Sequence, residues 1–168
     1  MAEKVYDVLF LCTGNSARSI LAEALINHWG RGRFRGHSAG SFPKGEAHPL
    51  TLQLLDKLRI PLPHARSKSW DEFARADAPV MDFVFTVCDQ AAGETCPVWP
   101  GNPVTAHWGV PDPAAAAGTE EQRMAAFRDA YLRLEARIKP FAALPLEKLD
   151  RLALKRMADE IGRAAPSP

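Results

Sequence analysis

This 168-residue chain has few cysteines, a net charge close to zero and no long apolar run. Three cysteines, an odd number, do not suit a disulfide framework, so chemistry or simple burial must explain the thiols. A formal net charge of +1 gives no reason to expect a nucleic-acid or membrane partner. No run approaches the ~20 apolar residues of a membrane span, and the first residues lack a signal-peptide cleavage site. We therefore expect a cytoplasmic protein with neither kind of partner.

The five histidines show no metal-ligand spacing, so the sequence predicts no catalytic metal. We also expect no bound cofactor. Length and composition suit one ordinary globular domain. We expect residues 1–140 to form that domain. Residues 141–168 are expected to be a C-terminal amphipathic helical extension packed on the same domain.

Strand-like and helix-like patterns alternate along the chain. VYDVLFLC and VMDFVFTVC predict buried strands, and FRGHSAGS and PVTAHW predict two shorter ones. RSILAEALINHWG and HPLTLQLLDKLRI have helical spacing, as do residues 119–139, which begin at a Thr119–Gln122 capping box and stop at Pro140. This order predicts a three-layer α/β fold with a four-stranded, mainly parallel sheet flanked by helices.

The segment CTGNSARS joins the first predicted strand to the first predicted helix. Ligands of parallel α/β sheets bind at the carboxyl ends of strands, where the backbone N–H groups of a helix N-terminus favour an anion. The small residues of TGNSA suit a cradle for a tetrahedral oxyanion, and Arg18 suits a bidentate contact to it. The same positive environment favours the nucleophilic thiolate of Cys12. The segment therefore predicts attack by Cys12 on a bound oxyanion.

Three motifs together resemble the arsenate reductases of the low-molecular-weight protein tyrosine phosphatase fold. They are LFLCTGNSARS, VFTVCDQAAGETCPVWPG and TAHWGVPDPA, and the resemblance runs from about residue 5 to about residue 140. A Cys followed six residues later by Arg is weak evidence alone, whereas three motifs in this order are highly specific. The resemblance implies a low-molecular-weight phosphatase-like fold and a part in arsenical resistance.

The resemblance also implies the roles of individual residues. Cys12 corresponds to the nucleophile, Ser19 to a hydroxyl that stabilises its thiolate, and Asp112 to a general acid. A positioned carboxylic acid suits that role because it protonates the oxygen that leaves arsenic; read alone, PDP is only a turn signal. The implied oxyanion-binding residues are Thr13, Gly14, Asn15, Ser16, Ala17, Arg18 and Ser19.

Cys88 and Cys96 separate a reductase from a phosphatase. A phosphatase hydrolyses its cysteinyl intermediate with water, whereas an arsenate reductase needs a second thiol to attack the Cys12 adduct. Cys88 closes a predicted strand and therefore lies at the same sheet edge as Cys12, while Cys96 lies on the Gly/Pro-rich loop beyond it. The resemblance implies Cys88 as the resolving thiol and Cys96 as the final one. It also implies arsenate as substrate and an external thiol donor, thioredoxin or alternatively glutaredoxin with glutathione.

Relatives of this kind often hold a potassium ion near the loop, with ligands that correspond to Asn15, Glu23 and Ser38. Lys68 stands where an acidic ligand is expected, so its ammonium is a candidate for the same place.

Two other functions stay open at this stage. A low-molecular-weight tyrosine phosphatase would use the same loop, although Ala114 follows the Asp-Pro pair where those phosphatases usually carry an aromatic residue. A non-catalytic oxyanion or redox sensor would use the same loop to regulate a partner, but no DNA-binding helix or basic stripe supports it.

Overall fold

The computed structural model describes residues 4–60, 62, 65–88 and 99–163. The main elements, in chain order, are β1 Tyr6–Cys12, α1 Arg18–Trp29, β2 Phe34–Gly40, α2 Pro49–Lys57, β3 Phe83–Thr86, β4 Val104–His107, α3 Glu120–Ala142 and α4 Arg151–Arg163. Short 3-10 turns lie at Trp70–Phe73, Pro113–Ala115 and Leu146–Lys148. Within these described ranges, no helix has the length and apolarity needed to cross a bilayer.

The four strands form one sheet in the order β2-β1-β3-β4, and every neighbouring pair is parallel. The predicted parallel α/β fold is therefore confirmed. β1 occupies a central position, with Cys12 beside Gly40 of β2 and Leu11 beside Thr86 of β3. Because the strands are parallel, the segments that follow β1, β2, β3 and β4 all leave the same edge of the sheet.

The alternation of side chains along β1 divides the apolar core between the two faces of the sheet. Val8 and Phe10 belong to a large cluster that includes residues of all four helices. Leu9 and Leu11 belong to a smaller cluster on the other face, with Trp70, Phe73, Met81, Val84 and Trp99. From Val8 to Leu11, β1 is fully buried on both faces, which explains the continuous apolar sequence of this part of the strand.

Helix α3 begins as predicted but ends later. Thr119 Oγ1 accepts a hydrogen bond from the Gln122 N–H, and Gln122 Oε1 accepts one from the Thr119 N–H, so the capping box is present. The prediction that Pro140 ends the helix is wrong, because α3 continues through it to Ala142. A proline removes one hydrogen bond of the last turn, while the Ala143 N–H still bonds the carbonyls of Lys139 and Pro140.

Helix α4 lies along β4. Trp108 Nε1 donates to the Ala158 carbonyl at 2.9 Å, and a Cβ added to Gly162 would collide with the His107 carbonyl. Two basic side chains of α4, Arg151 and Lys155, donate to backbone carbonyls between Asn102 and Thr105. The predicted boundary at residue 140 falls inside α3, whereas α4 begins at Arg151.

Candidate active site

The loop between β1 and α1 is held from outside by its carbonyl groups. The Thr13 carbonyl accepts one hydrogen bond from beyond the loop, and the Gly14 and Ser16 carbonyls accept two each. The donors are the backbone N–H groups of Phe42, Lys44 and His48 and the hydroxyls of Thr51 and Ser67, at 2.9–3.1 Å. Carbonyls held in this way leave the N–H groups of the loop for an anion.

Two residues let the loop take this compact form. Asn15 is fully buried with a positive φ of 44°, a conformation that asparagine tolerates better than most side chains. Gly40, at the end of β2, lies directly against the loop, where a Cβ would collide with the Thr13 carbonyl. Only a residue without a side chain lets β2 and the loop approach so closely.

The thiol of Cys12 faces a directed hydrogen-bond network. Asn15 Oδ1 accepts from the Lys68 N–H at 2.8 Å, which turns Asn15 Nδ2 toward Ser19 Oγ, also at 2.8 Å. Because Ser19 Oγ accepts from Asn15, its own hydrogen is available to Cys12 Sγ, 2.9 Å away. A hydroxyl that donates to sulfur favours the thiolate. Cys12 is 3% exposed and Ser19 is fully buried, so little water competes for this contact.

Arg18 and Asp112 meet at the mouth of the same site. Arg18 Nη1 donates to the Val110 carbonyl at 2.9 Å, and its Nη2 lies 3.8 Å from Asp112 Oδ2. Asp112 Oδ1 accepts from the Ala114 N–H at 2.9 Å, so the PDP segment is also the turn that its sequence indicates. The second carboxylate oxygen is the one that faces Arg18.

A small pocket of about 50 Å³ opens between these groups. Its lining residues are Cys12, Gly14, Ser16, Ala17, Arg18, Lys44 and Asp112. Six of the seven were predicted from the sequence, and Lys44 was not. The methylene groups of Lys44 pass over Gly14, which brings a second positive charge to the pocket. In the sequence, Lys44 is one residue of a turn-like SFPKG segment, and no local pattern distinguishes it.

His48 supports the loop from the start of α2 and was also missed. Its N–H bonds the Ser16 carbonyl, and its Nδ1 accepts from the Leu50 N–H at 3.1 Å. Burial lowers the pKa of His48, and the positive charges of Arg123 and Lys44 lower it further. The neutral form of the ring is therefore favoured beside the pocket.

The second cysteine approaches the first through Thr13. Cys88 is 2% exposed and follows β3, and its Sγ lies 3.7 Å from Thr13 Oγ1. The structure thus brings Cys88 to the Cys12 loop, while Cys96 lies outside the described residues.

The residues compared with a potassium site do not fit a potassium ion. Lys68 Nζ donates to the Ser38 carbonyl at 2.7 Å and to the Arg66 carbonyl at 2.9 Å, so an ammonium already holds these oxygens. Glu23 accepts from Ser38 Oγ at 2.5 Å. Burial lowers the pKa of Lys68, an effect that the charge of Glu23 opposes. Elsewhere in the described part of the chain, no cluster of His, Cys, Asp or Glu suits a metal ion.

Comparisons with known proteins show which family and which relatives this chain resembles. The sequence model of the low molecular weight phosphotyrosine protein phosphatase family matches residues 7–155. An arsenate reductase of Halalkalibacterium halodurans is 37% identical over 139 residues, which span 80% of this chain and 94% of the relative.

Two solved structures extend the comparison. A thioredoxin-dependent arsenate reductase of Corynebacterium glutamicum has a TM-score of 0.59 and 26% identity, over 83% of this chain and 61% of that chain. An arsenate reductase of Archaeoglobus fulgidus has a TM-score of 0.64 and 26% identity, over 82% of this chain and 99% of that chain. The chain is therefore longer than the Archaeoglobus and Halalkalibacterium proteins that it resembles.

Proposed function

The chain belongs to the low molecular weight phosphotyrosine protein phosphatase family, and we propose that it acts in that family as a thiol-dependent arsenate reductase. The observation that carries this proposal is the 3.7 Å approach of Cys88 Sγ to Thr13, the residue after Cys12. Hydrolysis of a phosphate ester needs no second thiol at the loop, whereas reduction of arsenic does. Relatives named arsenate reductase support the same function.

Binding and the first chemical step use the pocket between Cys12 and Asp112. The loop N–H groups and Arg18 bind the oxygens of arsenate, and Lys44 adds positive charge at the mouth. The Cys12 thiolate attacks arsenic, a sulfur–arsenic bond forms and an arsenic–oxygen bond breaks. Asp112 gives its proton to the departing oxygen, which leaves as water.

Reduction occurs in the second step. Cys88 attacks Cys12 Sγ, so that a disulfide forms and the sulfur–arsenic bond breaks. The electron pair of that bond stays on arsenic, which becomes arsenic(III) and leaves as arsenite. Two electrons therefore pass from the two sulfurs to arsenic, and no resident cofactor is needed.

Regeneration requires Cys96 and an external thiol donor. Cys96 attacks Cys88 and releases Cys12 as a thiol, and the donor then reduces the Cys88–Cys96 disulfide. Thioredoxin is the donor that we propose, since one structural relative is named as thioredoxin-dependent; glutaredoxin with glutathione is the alternative. A relay that starts from three reduced thiols suits a reducing compartment, the cytoplasm.

A single-turnover experiment tests this order of thiols. With stoichiometric arsenate and no added thiol, wild type should release one equivalent of arsenite and form Cys88–Cys96. Cys96→Ser should also release one equivalent, accumulate Cys12–Cys88 and fail in turnover driven by thioredoxin. Cys88→Ser should release none. Peptide mapping by mass spectrometry identifies each disulfide.

Each alternative has its own signature in the same experiment. Arsenite release by Cys88→Ser without added thiol would refute the relay. Hydrolysis of p-nitrophenyl phosphate without any arsenite release would assign the chain to the phosphatases. Glutathione found on Cys88, with turnover of Cys96→Ser by glutaredoxin, would replace thioredoxin as the donor. Binding of oxyanion without either reaction would leave only a sensor.

A further inference from the structure

Arg137 of α3 is a buried cation that takes no part in the reaction steps proposed above. It is 8% exposed, and among the residues that the structure describes its Nε has no hydrogen-bond partner. Within the described ranges no carboxylate forms an ion pair with it, and its charged neighbour is another cation, Arg133. Burying a charge without an opposite charge costs stability. We therefore expect the buried charge of Arg137 to have a specific role that offsets this cost in stability.

The contact that Arg137 makes lies on the segment leading to Asp112. Its Nη1 donates to the Gly109 carbonyl at 2.6 Å. The next carbonyl, that of Val110, accepts from Arg18 Nη1 at 2.9 Å. Two guanidinium groups, those of Arg137 and Arg18, therefore bind consecutive carbonyls just before Asp112.

The backbone hydrogen bonds of Trp108 and Val110 flank Gly109 but do not involve its carbonyl, which Arg137 binds. The Trp108 and Val110 N–H groups bond the Thr86 and Val87 carbonyls, which continues the pairing of β4 with β3. These bonds hold the residues on both sides of Gly109. Arg137 holds the carbonyl of Gly109 itself, the most freely rotating residue of the segment.

We propose that Arg137 is a positioning residue that holds the Gly109–Val110 backbone so that Asp112 faces the oxyanion pocket. The proposal rests on the general-acid role of Asp112 in the proposed function. Arg18 also binds this segment, but it must bind the oxyanion as well. Arg137 secures the segment independently of the substrate. A displacement of about 1 Å at a reacting group can slow a reaction ~100-fold, so one buried hydrogen bond suffices for a large effect.

The test is a double-mutant cycle between Arg137→Met and Asp112→Asn. Methionine keeps the apolar volume and removes the charge, so Arg137→Met should fold with unchanged or higher thermal stability. Its single-turnover rate should fall ~10 to 100-fold, while its Kd for inorganic phosphate stays within about threefold. The double variant should be no slower than Asp112→Asn, since both changes remove one function.

Two further variants separate positioning from structure. Arg137→Lys keeps a cation that can reach Gly109 and should recover most of the rate. Arg133→Met, one turn earlier on α3, removes a half-buried arginine paired with Asp129 and should leave the rate unchanged. Should Arg137→Met fail to fold, Arg137→Gln also removes the charge, and its side chain is two bonds too short to reach Gly109 from the same position, so it should lose the rate to the same extent.

The cycle is measured with two reactions, arsenite release and hydrolysis of p-nitrophenyl phosphate. The results then distinguish a failure of the proposed reductase function from a failure of the proposed role of Arg137. Wild type without arsenite release counts against the reductase. The rates of the variants are compared in the reaction that wild type performs. If the double variant shows the combined rate losses of the two single variants, the proposed role of Arg137 is overturned. A phosphate Kd that weakens as much as the rate falls overturns it as well. Wild type with neither reaction overturns both proposals.

Discussion

Ser19 Oγ lies 2.9 Å from Cys12 Sγ and accepts a hydrogen bond from Asn15 at the same time. The serine hydrogen is thereby directed at the sulfur that we propose as nucleophile. This arrangement links the reactivity of Cys12 to a residue on the first turn of α1. It also links the loop to Lys68, whose N–H fixes the orientation of the Asn15 amide.

Ser19→Ala should make Cys12 a weaker nucleophile. Loss of a hydrogen bond to a charged group costs about 1.5–3 kcal/mol, and the greater intrinsic reactivity of the sulfur offsets about half of that, so alkylation of Cys12 by iodoacetamide at pH 7 should slow ~4 to 15-fold. The measurement is the rate of labelling at Cys12, read by peptide mass spectrometry. Phosphate should protect Cys12 from alkylation in wild type. Equal labelling of wild type and Ser19→Ala would remove Ser19 from the site.

Asp112→Asn should slow arsenite release while leaving oxyanion affinity almost unchanged. Removing a general acid typically costs ~100 to 10,000-fold in rate. The amide keeps an oxygen for the Ala114 N–H, so the turn should survive. Asp77→Asn, at an exposed carboxylate, is the matched control. A folded Asp112→Asn protein with full activity would exclude Asp112 from the mechanism.

Potassium should have no effect on the wild-type protein, because Lys68 Nζ already holds the Ser38 and Arg66 carbonyls. Arsenite release should be equal in potassium chloride and choline chloride at the same ionic strength. Lys68→Met removes the ammonium and leaves Glu23 and Ser38 without it. That variant should be destabilised and should gain thermal stability specifically from potassium. Potassium stimulation of wild type would contradict this account of Lys68.

His48 should make the fold less stable in mild acid. Burial and the nearby positive charges lower its pKa below the ordinary 6.5 in the folded state. Below pH 6.5 the unfolded chain therefore binds a proton that the folded chain does not, so the free energy of unfolding falls as pH falls. His48→Asn keeps a residue that caps helices well and lacks this titration.

The difference in Tm between wild type and His48→Asn should therefore change between pH 7.5 and pH 5, with wild type losing more. Thermal unfolding followed by circular dichroism measures it. A difference that stays constant with pH would mean that His48 titrates alike in the folded and unfolded chains.

Sequence reasoning succeeded where neighbouring residues determine the structure. The Thr119–Gln122 capping box depends on two side chains three residues apart, and the loop from Cys12 to Arg18 depends on one strand, one turn and one helix. The end of α3 was misjudged because packing beyond Pro140 extends the helix: Phe141 is 1% exposed and lies against the core.

Contacts between distant parts of the chain could not be predicted in this way. Arg137 reaches Gly109 across 28 positions, and nothing in the spacing of α3 distinguishes it from the other arginines of the helix. Lys44 enters the pocket because the segment after β2 folds back over Gly14. Cys88 was placed correctly because parallel strands end at one edge, which is a property of the fold.

Helix α4 covers the outer side of β4 and so limits pairing of this strand with other chains. β4 is one of the two edge strands of the sheet, and an uncovered edge strand is a template to which a second chain can add a strand. Lys155 takes the outward carbonyl of Thr105, Arg151 takes that of Pro103, and Gly162 lies against that of His107. Helix α4 thus covers the outward carbonyls of Pro103, Thr105 and His107. A chain that ended before Arg151 would expose these carbonyls, and a second chain could then pair with β4.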